Sequence, residues 1–155
     1  MSSHSPGLVW RVLRIMNRRV AARVIASGSG PQRVVLLLTT IGRKSGLPRV
    51  TPVQYEEING AYYIGAARGA QADWFRNIVA NPCVEVQTLQ DHFAARAEPI
   101  TDPARIADFL ELRLRRHPVM IRAMLLMHGL FRPNRVNIER LASDLALVVI
   151  RPKQP

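Results

Sequence analysis

The densest run of chemistry in the chain lies between Thr39 and Arg49, where Thr39, Thr40, Gly42, Arg43, Lys44, Ser45, Gly46 and Arg49 fall within eleven positions. Hydroxyl groups, loop amides freed by glycine and three cations are what a phosphate or a carboxylate needs. Lysine supplies a mobile point charge and arginine a planar fork. The stretch lacks the G-x-x-x-x-G-K-[ST] spacing of a nucleotide-binding P-loop, and no long helical pattern follows it. The residues therefore spell an anion cradle on a β-turn, or else a solvated basic turn. Residue types alone leave both readings open.

The flanking sequence must position this loop. Val34–Thr40 is a continuous apolar run, the pattern of a strand buried on both faces. Arg49–Glu57 reads as the next strand, and Pro52 inside it implies a sheet edge or a bulge. Asn59-Gly60 predicts a tight hairpin into a strand over Ala61–Ala67. After the small-residue loop from Arg68 to Ala72, Asp73 is placed to cap a short helix, Trp74–Ala80, in which Trp74 and Ile78 share a face. Asn81-Pro82 ends that helix. Val84, Val86 and Thr88 alternate with polar residues as a half-buried strand, with His92–Pro99 as its antiparallel partner.

Thr101-Asp102-Pro103 is an N-cap signal followed by a first-turn proline, so a helix over 103–116 is expected to bury Ile106, Phe109, Leu110 and Leu114. A second helix over Val119–Leu130 carries one charge, Arg122, and is expected to be buried or to line an apolar pocket softened by Met120, Met124 and Met127. A third covers Val136–Ala142, and Leu145–Ile150 is a last strand rejoining the sheet. At the other end, residues 1–7 are polar. Residues 8–26 place Val9, Val12, Leu13, Met16, Val20 and Val24 on one helical face with arginines opposite. That pattern suits either a helix packed on the sheet or a basic anchor on an anionic membrane surface. Ser27–Pro31 is a hinge, so the chain divides into a start over 1–30 and one domain over 31–155, with a helical segment at 103–143. About six mostly antiparallel strands, an N-terminal helix, a short internal helix and a helical insertion before the last strand make an α+β chain built on a small β-barrel.

A chain of 155 residues, of which 48% are apolar, holds a single core. Its 22 Lys+Arg against 11 Asp+Glu give a formal charge of +11 and favour anionic ligands, anionic lipid or nucleic acid. No aromatics interleave with the loop cations as base-stacking platforms would, which argues against specific nucleic-acid binding. Cys83 is the only cysteine, so no intramolecular disulfide forms, and a lone cysteine argues against a cysteine-based zinc site. His4, His92, His117 and His128 have no metal-ligand spacing. A cytoplasmic protein fits, peripheral on the inner face of the cell membrane if residues 8–26 bind lipid. No run approaches the ~20 apolar residues of a membrane span.

With these elements in place, a set of short motifs in register resembles the deazaflavin-dependent nitroreductase family of the flavin-reductase-like split β-barrel proteins. The set comprises Thr39-Thr40-Ile41-Gly42-Arg43-Lys44-Ser45-Gly46, Pro48-Arg49, Thr51-Pro52-Val53, Ala66-Ala67-Arg68-Gly69, Trp74-Phe75-Arg76-Asn77 and Ala80-Asn81-Pro82. The resemblance implies a split barrel that binds the polyanionic coenzyme F420, with FMN as the alternative. By similarity, Arg43, Lys44, Ser45 and Arg49 hold the phosphate and tail. Thr51, Pro52, Val53 and Gln54, with Ala66, Ala67 and Arg68, line the deazaflavin ring, and the helix carrying Trp74 and Asn77 closes the site. No catalytic side chain is implied, because the cofactor carries the chemistry. Reduced deazaflavin would pass a hydride to a lipophilic quinone, enone or nitro acceptor. The alternative is a non-catalytic binder of F420, FMN, haem or a fatty acid.

The acceptor side departs from the family pattern. Gln54 stands where some members carry an aromatic, and residues 103–143 lack their tyrosine-rich segment. The resemblance thus carries the cofactor rather than a nitro substrate. It leaves monomer and homodimer equally open.

Overall fold

The computed structural model describes residues 35–66, 68–88 and 91–152. The amphipathic segment 8–26 and Ala67 lie outside the described residues. In chain order the elements are β1 (Val35–Ile41), β2 (Pro48–Gln54), β3 (Glu56–Ile58), β4 (Ala61–Ala66), α1 (Asp73–Ala80), β5 (Cys83–Gln87), β6 (His92–Ile100), α2 (Pro103–Arg116), α3 (Pro118–Met127), α4 (Arg135–Ala142) and β7 (Ala146–Pro152). A single 3-10 turn, Gly69–Gln71, precedes α1.

The strands form one seven-stranded antiparallel sheet in the order β2-β1-β5-β6-β7-β4-β3. The stretch Arg49–Glu57, expected as one strand, is two. It breaks at Tyr55, and β2 and β3 occupy opposite edges of the sheet. A single residue can join two edges only if the sheet curls until they meet, and β2 accordingly touches β4 across the seam. The Tyr55 ring closes the gap edge-on to Tyr62, with centroids 5.1 Å apart, and Tyr62 stacks on Phe93 at 5.7 Å. The small β-barrel expected from the strand pattern is present as a half-barrel, with seven strands in place of about six. Pro52 sits on edge strand β2, where its missing N–H costs nothing. The β3–β4 hairpin turns at Asn59 (φ 50°) and Gly60 (φ 77°), the paired left-handed conformations that match strand twist.

Both faces of the central strands are covered. In β7, Ala146, Val148 and Ile150 enter a core with Leu36, Leu38, Ile64, Phe75 and Ile78, whereas Leu147 and Val149 enter a second core with Ile106, Phe109, Leu110 and Ile138. Period-two alternation thus splits one apolar strand between the α1 side and the helical side. Asp102 caps α2 by accepting from the Ala104 amide at 3.2 Å. Arg135 then ties α4 to α2 through Asp108 (2.6 Å) and the Ala104 carbonyl (3.2 Å). Glu56 on β3 pairs with Arg116 and His117 at 3.2 Å each, which anchors the α2–α3 corner to the sheet edge.

The expectation for α3 is overturned in part. Ile121 and Leu125 are buried and Met124 is half-buried, but Val119 is 83% exposed and Met127 89% exposed, with Met120 and Leu126 also exposed. The helix touches the body of the protein along one stripe only, so an apolar residue elsewhere on it stays outside. Leu114, expected in the core, is half-buried for the same reason.

Candidate functional site

The basic loop is the connection between β1 and β2, which pair as far as Ile41 opposite Pro48. It is tightly pinned. The Gly42 amide donates to the Leu47 carbonyl and the Gly46 amide to the Gly42 carbonyl, both at 2.8 Å, and the Leu47 amide donates to Ser45 Oγ at 3.2 Å. A side chain at Gly42 would place its Cβ 2.5 Å from Ser45 Oγ, so the close approach of the turn requires glycine there.

The loop is clamped to α1 by the amide group of Asn77, which is only 4% exposed. Asn77 Oδ1 accepts both from the Arg43 backbone N–H (3.2 Å) and from its guanidinium (3.0 Å), while Asn77 Nδ2 donates to the fully buried Thr40 Oγ1 at 3.2 Å. The second nitrogen of the Arg43 fork donates to Asp73 Oδ1 at 2.9 Å. Asp73 does not cap α1 as expected. It is the first helical residue, Ala72 holds the cap position, and no side chain caps the helix. The Asp73 carboxylate instead meets the positive end of α1 and the Arg43 guanidinium, whose hydrogen bond holds its pKa below the usual carboxylate range. Arg43 is therefore largely committed to holding the loop.

Lys44 and Arg49 are not so committed. Among the described residues neither makes an ion pair, and the backbone amides of Lys44 and Ser45 find no protein acceptor. Both cations line an open cleft of about 480 Å³ together with Arg43, Ser45, Thr51 and Trp74. One wall is the loop, one is edge strand β2, and the third is the first turns of α1.

The cleft thus gathers Arg43, Lys44, Ser45, Arg49, Thr51, Trp74 and Asn77 of the residues singled out in the sequence. Gln54 and Ala66 line a second cavity, of about 170 Å³, between the sheet and the helices. Val53 packs on the α1-side core, and Pro52 is exposed on β2. Arg68 is exposed at the start of the 3-10 turn, where its carbonyl accepts from the Gln71 amide at 3.3 Å.

Met124 lines this cavity, as the apolar pocket expected of its helix allows, but sequence reasoning missed Phe109, Arg113 and His128 as lining residues. Arg113 is half-buried and lies over the Phe109 ring at 5.8 Å. Its Nε has no hydrogen-bond partner and stands 3.6 Å from Glu56. Burial pushes its pKa below that of an ordinary arginine. The only available signal was its spacing of four from Phe109, and neighbouring Arg115 and Arg116 blur it.

A family model described as F420H(2)-dependent quinone reductase matches residues 10–122. The chain belongs to this family. Within the matched span fall the whole loop, both strands beside it and α1. Among curated relatives, the F420H(2)-dependent quinone reductase Rv1261c of Mycobacterium tuberculosis is 34% identical over 92 residues, which is 57% of this chain and 58% of that protein. The aligned part is thus less than two thirds of the relative's length. Two solved structures share the fold. An F420-H2 dependent reductase (FDR-A) aligns with a TM-score of 0.52 at 23% identity, covering 77% of this chain and 95% of that one. HutZ, a heme storage protein of Vibrio cholerae, aligns with a TM-score of 0.54 at 19% identity, covering 80% and 84%. At those identities the family's split-barrel architecture is what the two structures share with this chain.

Proposed function

We propose that this protein is an F420-dependent reductase that delivers a hydride from reduced deazaflavin to a lipophilic acceptor, a quinone first of all and an enone or nitro compound by the same chemistry. The observation that carries this reading is the pair Lys44 and Arg49, two cations with no ion-pair partner among the described residues, facing one cleft beside free loop amides. That donor set fits a phosphodiester with a carboxylate tail, because unpaired cations and N–H groups are anion ligands without first breaking internal bonds. Arg43 and Asn77 would hold the loop in shape, and Trp74 would close the cleft. Gln54 at the end of β2 and Ala66 at the end of β4 would meet the deazaflavin ring. The second cavity, mostly apolar and bearing Arg113, is then the place for the acceptor.

The bound cofactor supplies the hydride. The chain's residues bind, orient and exclude water; among them none is asked to act as nucleophile or base. Arg113 would offer hydrogen bonds to an acceptor oxygen as negative charge develops there. The segment 8–26 would add attraction to an anionic membrane surface, where lipophilic quinones reside.

The test is to titrate the purified chain with F420, FMN and haem, then to follow menadione-dependent oxidation of F420H2. F420 binding with turnover, and loss of both in Lys44→Glu/Arg49→Glu, is the expected result. Tight binding of FMN or haem with no F420 turnover would overturn it in favour of a storage or carrier role.

A further inference from the structure

Helix α3 is built inside out on one side. Ile121 and Leu125 face the core, yet the opposite face carries Val119, Ala123, Leu126 and Met127, with Met120 on its flank. Past the helix, Phe131 is 80% exposed and Val136 66% exposed as well. Ordinary surface helices put charge on that face. An exposed apolar area of this extent marks an interaction site.

The charges around it identify the partner. From Glu111 to Glu139 the sequence contains no acidic residue in between, while Arg115, Arg122 and Arg132 are exposed along the same stretch. Exposed arginines interspersed in sequence with exposed apolar residues match an anionic lipid headgroup layer over hydrocarbon. Met120 and Met127 on this face are long and unbranched, able to settle into a fluid phase without a shaped counterpart. A protein partner would instead call for acidic or hydrogen-bonding complementarity, and from Val119 to Met127 the helix offers one polar side chain, Arg122.

We infer that the outer face of α3, continued by Phe131 and Val136, is a docking surface for an anionic lipid bilayer. The surface is made of residues other than the segment 8–26 and does not depend on which cofactor the cleft holds. It carries a consequence for the second cavity, because Met124 and His128 of the same helical segment line that cavity. Seating the outer face of α3 in lipid places the cavity's wall at the membrane interface, where a lipophilic compound enters without crossing water.

The experiment uses the full chain. Flotation with vesicles of equal parts phosphatidylglycerol and phosphatidylcholine is compared with phosphatidylcholine alone. The variant Leu126→Asp/Met127→Asp is expected to lose about tenfold in partitioning to the anionic vesicles. A control with the same charge change elsewhere, Val79→Asp/Ala80→Asp, is expected to lose much less. Equal loss in both variants would reduce the effect to bulk charge and overturn the proposal. So would unchanged flotation of the α3 variant. A dimer that the α3 variant dissociates, with lipid binding intact, would also overturn it and assign the face to a second copy. A fluorophore on Met127→Cys in a Cys83→Ser chain gives a readout that needs no destabilising change. Its emission should shift to the blue on anionic vesicles, and an unshifted spectrum on vesicles that bind the chain would sink the idea.

Discussion

Arg43 and Asn77 are joined twice through a single atom: the backbone N–H and the guanidinium of Arg43 both donate to Asn77 Oδ1, at 3.2 and 3.0 Å. The other end of the same amide reaches Thr40 on β1. One buried side chain on α1 therefore fixes the start of the loop, its first cation and the strand that leads into it. Truncating it, Asn77→Ala, strands a buried hydroxyl and a loop amide. The expected cost is about 2 kcal/mol of stability, read by urea unfolding, together with weaker F420 binding. A variant that binds F420 as tightly as the parent would show that the loop is held by other means.

The exposed cations of the cleft should make F420 affinity salt-dependent. Arg49→Lys retains charge but loses the planar fork, so binding should weaken by less than in Arg49→Glu. Raising salt from about 0.05 to 0.5 M should weaken the parent several-fold, because exposed charges are screened over a few ångströms at the higher value. Isothermal titration at the two salt levels checks both statements.

The Asp73–Arg43 pair predicts a sign for acid sensitivity. The pKa of Asp73 is lowered in the folded state, chiefly by the Arg43 hydrogen bond. Its contribution is therefore fully present above its ordinary value of 3.8 and is lost as pH falls through the lower folded value. Asp73→Asn should narrow the stability gap to the parent as pH drops from about 5 to 2, and leave the profile above about 5 parallel. The carboxylate is fully exposed, so the effect is small. Thermal unfolding across that range is the measurement.

Gly42→Ala tests the tightness of the turn. Its new methyl group would lie 2.5 Å from Ser45 Oγ and 3.2 Å from the Leu47 carbonyl oxygen, so Ser45 must move and its bond to the Leu47 amide is lost. We expect F420 affinity to fall about tenfold, equivalent to about 1.4 kcal/mol, while the cores of the sheet keep their packing. A comparable loss of overall stability would mean that the turn nucleates the fold rather than shaping the site.

Much of this architecture was legible because local rules and tertiary structure agree. The Asn59-Gly60 turn, the Asp102-Pro103 helix start and the double-faced apolar run of β1 each follow from chemistry confined to a few residues. The break at Tyr55 was not legible, because nothing around it signals a turn. Closing the curled sheet decides it. Asp73 looked like a cap since caps are local, whereas its actual partner, Arg43, is far away in sequence. The cationic cleft could be read from the loop and an apolar pocket at Met124 from its helix, but the rest of the second cavity could not. Its walls come from β2, β4, α2, α3 and the segment before β7, and Arg113 differs from its neighbours only in where α2 happens to face.

Edge strand β2 connects the two cavities, with Arg49 at one and Gln54 at the other. At about 3.3 Å per residue, the interval between those side chains is roughly 17 Å of extended backbone. The strand is thereby a molecular ruler. Adding or deleting one residue between Arg49 and Gln54 would change the gauge and also turn alternate side chains to the wrong side. Tolerance of such changes should be far lower there than in the loops on either side.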